Sequence, residues 1–134
     1  MHGFDVNWLA VVLAALAKFA IGGFWYSPVA FGPRWGAIVG VSPEAFRARM
    51  VPAMVADIVA SLILAWVLAN VLKFTGASGL VPGMRVSFFL FLGFVATPLL
   101  STTVYEGRPL ALFAINASYW LVSMLVMGAI IGGW

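Results

Sequence analysis

The chain has 134 residues and a net charge of +3, and 64% of its residues are hydrophobic while 8% are charged. A soluble domain carries roughly 25% charged residues because its surface faces water, so this composition excludes a soluble fold, and the apolar content excludes a disordered chain. The seven basic residues are scattered, which argues against nucleic acid as a partner. Because the chain has no cysteine and a single histidine, we expect no disulfide, no metal site and no cofactor.

Four apolar stretches are each long enough to cross a bilayer as a helix, which takes about 20 residues. They cover residues 7–27, 53–73, 80–104 and 110–133, and residues that favour turns separate them. The first stretch is interpreted as a retained span and not as a cleaved signal peptide, because the residues before it include Asp5 and no Lys or Arg. The sequence therefore predicts an all-α integral membrane four-helix bundle in one domain, residues 1–134, in contact with the lipid bilayer.

The loop between the first two spans contains a helix start. Ser42 is a favourable N-cap, Pro43 suits the first helical position, and Glu44 suits the first turn. Apolar residues then alternate with Arg47 and Arg49, which predicts a short helix at the membrane interface. Pro52 is expected to kink this helix into the second span.

Charges in the loops predict the orientation of the chain in the membrane. An even number of spans places both termini on one side, together with Lys73 and Arg85 of the second loop. The first and third loops carry the larger basic set, Arg34, Arg47, Arg49 and Arg108. Basic loops stay in the cytoplasm, so we expect these two loops there and both termini outside. Insertion in both orientations is the alternative.

A short pattern recurs about half a chain apart. Residues 23–28 and 93–98 both follow G-F-x-x-[ST]-P. This recurrence predicts two tandem helical hairpins, residues 1–73 and 80–134, related as a parallel repeat. The alternative is chance recurrence of residues that are common in membrane proteins.

Two charged residues are not explained by the loops or by the ends of the spans. Lys18 lies near the middle of the first span, Asp57 about one turn inside the second, and Asn116 at a comparable depth in the fourth. An unpaired Lys or Asp at mid-membrane costs about 2.5–3.5 kcal/mol, which a Lys18–Asp57 pair would offset. These three residues form the candidate intramembrane polar site. Three interpretations of this site are open: a structural ion pair, a solute or proton pathway, and a Lys18 side chain that reaches the headgroups.

Small residues four apart predict close helix packing. They form three rows: Ala10 and Ala14; Ser61, Ala65 and Ala69; and Gly128 and Gly132. These rows join helices either within one chain or between the copies of a homo-oligomer.

Catalytic sequence motifs are absent. Glu106 is expected to pair with Arg108 in its own loop instead of acting with Asp57, so we expect no catalytic residue and no enzyme. The favoured interpretation is a non-enzymatic bundle that self-associates or joins a membrane complex. The alternative is a small transporter or channel with its polar site around Lys18 and Asp57, where the lysine favours an anionic solute.

Three groups of residues carry a family resemblance: Asn7-Trp8-Leu9 and GGFWYSPVAFG at 22–32 with Trp35, then Gly93 to Thr97 and Glu106 to Pro109, then Ile115 to Ser123. Over nearly the whole chain they resemble domain-of-unknown-function family 1761. The resemblance implies a four-span protein of the bacterial inner membrane with no assigned function. The motif positions are Trp25, Tyr26, Ser27, Pro28, Phe31, Gly32, Glu106, Gly107, Arg108, Pro109 and Asn116. Lys18 is not among them.

Overall fold

The computed structural model describes residues 6–134, and within that range the chain is helical and has no β-strand. Asp5, which bears on how the first stretch is interpreted, lies outside the described residues. The helices are α1 (Trp8–Trp25), α2 (Gly32–Val39), α3 (Pro43–Thr75), α4 (Leu80–Phe91), α5 (Thr97–Tyr105) and α6 (Leu110–Gly133). A π-helical turn, Leu92–Ala96, connects α4 directly to α5.

Four helical segments are long and apolar enough to cross a membrane. They are Trp8–Trp25, Glu44–Thr75, Leu80–Tyr105 and Leu110–Gly133. The predicted all-α architecture with four spans is therefore confirmed. The first, third and fourth spans match their predicted ranges to within a few residues, whereas the second begins earlier than expected.

The early start of the second span corrects the prediction for the first loop. Ser42 does cap a helix, since its hydroxyl accepts a hydrogen bond from the Ala45 amide at 3.1 Å. That helix is not a separate short element, because it runs through Pro52 into the second span and is 33 residues long in all, about 50 Å at 1.5 Å per residue. The kink at Pro52 stays a prediction. An internal proline removes one backbone hydrogen bond, and here the alanine- and methionine-rich neighbours sustain the helix. The short helix between the first two spans is instead α2.

The third span departs from regular α-helix just before its proline, Pro98. Pro98 has no amide hydrogen to donate and its ring would crowd the preceding turn of a regular α-helix. The π-helical turn lies immediately before it, and the Thr97 hydroxyl donates to the Gly93 carbonyl at 2.7 Å. The earlier copy of the G-F-x-x-[ST]-P pattern behaves differently, because α1 ends inside it at Trp25. The two copies thus differ in local structure, and the tandem repeat stays a prediction.

Helix α1 packs against α3 and α6. The shared core contains Val11, Ala14 and Ala15 of α1, Ala65, Leu68, Ala69 and Leu72 of α3, and Met127 of α6. Ala10 and Ser61 are also fully buried. The first two rows of small residues are therefore buried inside the chain.

Helices α4 and α6 touch through their backbones. The Gly79 amide donates to the Gly132 carbonyl at 2.7 Å. A Cβ atom placed on Gly128 would collide with the Ser87 hydroxyl and with the Gly83 carbonyl. The absent side chain of Gly128 is thus what permits this approach, and the third row of small residues also joins helices of one chain.

Large apolar side chains cover the outside of the bundle. Val51, Phe89 and Phe94 are each more than half exposed, and many others on α3 and α4 share this position. An outward apolar surface on four long helices indicates contact with a lipid bilayer.

Candidate functional site

Lys18 of α1 is the centre of the buried polar site. It follows Ala10 and Ala14 at intervals of four residues, so all three lie on the same face of the helix. This face packs against α3 and α6, and the lysine is consequently 1% exposed. A side chain directed to the interior of the bundle is inconsistent with the alternative in which Lys18 reaches the headgroups.

Three oxygen atoms surround the Lys18 ammonium. Its Nζ donates to Asp57 Oδ1 at 3.1 Å, to the Ser61 hydroxyl at 3.0 Å and to the Tyr119 hydroxyl at 3.0 Å. An ammonium group has three hydrogen-bond donors, so these oxygens use all of them. Asp57 and Ser61 lie one turn apart on α3, whereas Tyr119 belongs to α6. One side chain therefore connects α1 to both of the helices that it packs against.

Aromatic rings add to the stabilisation of this charge. The Lys18 Nζ lies 4.7 Å from the centroid of the Trp120 ring and 5.4 Å from that of Tyr119. Such cation–π contacts are worth about 2 kcal/mol where the cation is desolvated. Together with the Asp57 carboxylate they offset the free energy that burial of a lysine in a membrane protein costs.

The two members of the ion pair differ in exposure. The Lys18 side chain is 1% exposed, whereas that of Asp57 is 40% exposed. The lysine end of the pair is buried inside the bundle, whereas the carboxylate is accessible on the outer surface of α3. The predicted pairing of Lys18 with Asp57 is present in the structure, and this asymmetry is a feature that the sequence did not predict.

Asn116 makes a neighbouring contact instead of joining Lys18 directly. Its Oδ1 accepts a hydrogen bond from the Tyr26 hydroxyl at 2.6 Å. The Tyr26 ring packs edge-on against the Tyr119 ring, with centroids 5.4 Å apart. Since Tyr119 binds Lys18, the two polar clusters meet through this pair of tyrosines. Asn116 is thus connected to Lys18 through Tyr26 and Tyr119 and not by a hydrogen bond of its own.

Sequence reasoning missed three partners of Lys18: Ser61, Tyr119 and Trp120. Spacings in the sequence could have indicated two of them, Ser61 and Tyr119. Ser61 follows Asp57 by four residues, and Tyr119 follows Asn116 by three, which places each pair on one helix face.

The residues of the W-Y-S-P-x-x-F-G motif form a turn that packs against α6. Trp25 Nε1 donates to the Ile115 carbonyl at 3.1 Å, and the Phe31 ring lies 5.4 Å from the Trp25 ring. The Ser27 hydroxyl donates to the Phe24 carbonyl at 2.7 Å. A Cβ atom on Gly32 would collide with the Tyr26 carbonyl, so the turn needs glycine there.

The third loop is tied to α2. Arg108 Nε donates to Glu106 Oε1 at 3.1 Å, which is the local pair predicted from the sequence, and its Nη1 donates to the Ile38 carbonyl at 3.3 Å. Gly107 has a positive φ between the two charged residues, and Pro109 stands at the N-cap of α6. Motif residues from both halves of the chain therefore meet at one end of the bundle.

Comparison with known proteins identifies a family. The model of a family described as "Protein of unknown function (DUF1761)" matches residues 9–132. Neither the curated proteins nor the solved structures give a match to the chain. The family match covers all four spans almost completely. The chain therefore belongs to the DUF1761 family.

Proposed function

We propose that this protein is a non-enzymatic helical bundle that acts by associating with other membrane proteins, a second copy of itself included. The observation that carries the proposal is the half-exposed carboxylate of Asp57 on an otherwise apolar surface of α3. A surface that combines large apolar side chains with one strong hydrogen-bond acceptor suits a helix partner better than lipid.

The apolar surroundings of Asp57 support this proposal. Met50 and Met54, seven and three residues before Asp57, lie on the same side of α3 by the spacing of helical residues, and each is about 40% exposed. A carboxylate oxygen that faces hydrocarbon without a donor is costly. A partner helix that supplies a donor removes this cost, and interhelical hydrogen bonds in membranes contribute about 0.6–2 kcal/mol.

The contacts of Lys18 support a structural role for the buried site. All three of its donors bind side chains of α3 and α6. A solute could bind the ammonium only by displacing one of them. Lys18 therefore serves to hold α1, α3 and α6 together, which presents the outer surface of α3 to a partner.

A small transporter or channel is the second candidate. The observation in its favour is again Asp57, because its exposure leaves the ion pair accessible from one side. Flux measurements in proteoliposomes with the wild type, Lys18→Ala and Asp57→Ala would decide. Loss of flux in folded variants would favour transport, whereas lower thermal stability with no change in any flux would favour association.

We further propose the inner membrane of a bacterium as the location, with both termini outside and the first and third loops in the cytoplasm. The basic residues of those loops support this orientation. A reporter fused to the C-terminus should be active outside the cytoplasm. A purely cytoplasmic signal would reverse the orientation, and signals on both sides would indicate dual insertion.

Cysteine cross-linking tests association directly, because the natural chain has no cysteine to interfere. Met54→Cys places a thiol beside Asp57. Phe89→Cys is the matched control, since Phe89 is also exposed but lies on the outer surface of α4. We expect an adduct from Met54→Cys and little from Phe89→Cys, in native membranes or in liposomes of the purified protein. Equal yields at the two positions would contradict the proposal.

A carboxylate variant then tests the role of the charge. Asp57→Asn in the Met54→Cys background should reduce the yield of the adduct if the carboxylate binds a donor on the partner. An unchanged yield would restrict the contact to apolar packing and remove Asp57 from the proposal. The thermal stability of each variant in detergent shows whether the bundle itself is intact.

A further inference from the structure

A second feature of the molecule is a groove between α2 and α6, away from the ion pair. The groove has a volume of about 380 Å³. Its lining consists of Phe31, Arg34, Ala111, Ala114, Ile115 and Ser118. Arg34 is the one charged residue in this set, and the remaining lining is apolar apart from a single hydroxyl.

Small side chains on α6 create the space. Ala111, Ala114 and Ser118 are spaced by three and four residues, so they lie on one side of the helix. The Ser118 hydroxyl donates to the Ile115 carbonyl of its own helix at 3.0 Å. Its hydrogen therefore remains within α6, and this side of the groove is effectively apolar.

The opposite side is held in place by aromatic residues. Phe31 packs against Trp25, with ring centroids 5.4 Å apart, and Trp25 is itself bonded to the Ile115 carbonyl at 3.1 Å. Phe31, which lines the groove, is thus fixed to α6 through Trp25. The walls of the groove are part of the packed end of the bundle.

The charge of Arg34 has no partner in the part of the chain that the structure describes. Within residues 6–134 no hydrogen bond or ion pair involves its side chain, which is exposed. Arg108, the basic residue of the third loop, is in contrast paired with Glu106. Helix α6 begins at Leu110, next to Ala111 of the groove, and no side chain caps this end. The positive end of the α6 dipole therefore lies beside the groove.

The groove extends along α6 from the end of a span into its apolar part. Ala111 is the second residue of α6, and Ser118 follows it by seven residues, about 10 Å along the helix axis. One end of the groove therefore lies at the end of a span, and the other end lies within the apolar part of the same span.

We propose that this groove binds an anionic phospholipid, with its phosphate at Arg34 and the upper part of one acyl chain against the small residues of α6. An arginine binds phosphate with two parallel hydrogen bonds, and an apolar groove below it accepts hydrocarbon. A lipid with a phosphate and no compensating positive group matches this combination. A zwitterionic lipid brings a cation next to Arg34 and binds less well.

Native mass spectrometry of the purified protein in detergent provides the test, with phosphatidylglycerol and phosphatidylcholine as the two probes. We expect phosphatidylglycerol to bind about tenfold more tightly, as one charge-assisted contact implies. Arg34→Gln should abolish this preference. Arg49→Gln, which removes an exposed arginine of α3 outside the groove, should leave it unchanged. A preference that survives Arg34→Gln, or that Arg49→Gln removes equally, would overturn the proposal.

The apolar part of the groove needs a separate variant. Ala114→Phe fills it and should weaken the binding of both lipids, and Ala111→Leu is the smaller change if the first variant unfolds. Inorganic phosphate should compete poorly, since it lacks an acyl chain. Effective competition by phosphate, or full lipid binding by a folded variant with the groove filled, would mean that the groove does not hold a lipid chain.

Discussion

The Lys18 ammonium and the Asp57 carboxylate lie 3.1 Å apart, yet the lysine is buried and the aspartate is half exposed. The ammonium has further partners in Ser61 and Tyr119. The carboxylate can instead bind a donor from outside the bundle. Loss of one member of the pair should therefore have a different effect from loss of the other.

The first prediction concerns this difference. Asp57→Asn keeps an acceptor oxygen but leaves the buried Lys18 ammonium without its counter-charge, so it should lower the free energy of unfolding by about 3 kcal/mol or more. Lys18→Ala removes the buried charge itself and leaves a carboxylate that is half exposed, so the loss of its hydrogen bonds should cost less, about 1–2 kcal/mol. Equilibrium unfolding in detergent gives both values. Equal losses, or a larger loss for Lys18→Ala, would contradict the asymmetry.

A double variant measures how much of the effect belongs to the pair itself. The loss in Lys18→Ala combined with Asp57→Asn should fall short of the sum of the single losses, because the residues are in direct contact. Additive losses would mean that the two side chains stabilise the bundle independently. The exchanged pair, Lys18→Asp with Asp57→Lys, should recover part of the stability that either change loses alone. No recovery would contradict a role for the ion pair in stability.

The second prediction compares two fully buried serines. The Ser61 hydroxyl accepts from Lys18, whereas the Ser123 hydroxyl has no hydrogen-bond partner among residues 6–134. Ser61→Ala should lower the free energy of unfolding by about 1–2 kcal/mol. Ser123→Ala removes an unpaired polar group and should be neutral or stabilising. A comparable loss for both serines would show that the bond to Lys18 contributes nothing specific.

The third prediction concerns the contact of α4 with α6. A Cβ atom at position 128 would collide with the Ser87 hydroxyl and the Gly83 carbonyl, whereas one at Gly93 would have no neighbour within 4 Å. Gly128→Ala should therefore lower the melting temperature in detergent, at a cost of about 1–3 kcal/mol. Gly93→Ala should leave that temperature nearly unchanged. A tolerated Gly128→Ala would contradict the close helix approach.

The sequence was sufficient to predict those features that depend on the hydropathy and charge of individual segments. Four apolar stretches of bilayer length define four spans, and the cost of an isolated charge in a membrane is enough to predict that Lys18 pairs with Asp57. The aromatic partners of Lys18 were not predictable, because they depend on which face α6 turns toward α1. Helix order and rotation follow from side-chain packing between segments, which hydropathy does not describe.

The helix through Pro52 illustrates the same limit at a smaller scale. The sequence predicts a short interfacial helix before Pro52, because a proline removes a local hydrogen bond. In the structure that helix and the second span are one helix of 33 residues, since continuation past a proline depends on the other residues of the whole segment. The position of α2 was missed for a related reason, because its start depends on a Gly32 backbone packed against the Tyr26 carbonyl.

The last prediction concerns the contact between Tyr26 and Asn116, in which the Tyr26 hydroxyl at the end of the first span lies 2.6 Å from the Asn116 Oδ1 of the fourth. Tyr26→Phe removes the donor and leaves the half-buried Asn116 carbonyl oxygen without it, which should cost about 1–3 kcal/mol. Replacement of both partners by apolar residues of similar shape can be nearly neutral, since no polar group is then left unpaired. The double variant, Tyr26→Phe with Asn116→Leu, should therefore be more stable than Tyr26→Phe alone, as measured by equilibrium unfolding in detergent. A double variant less stable than either single variant would mean that Asn116 contributes through contacts other than its bond to Tyr26.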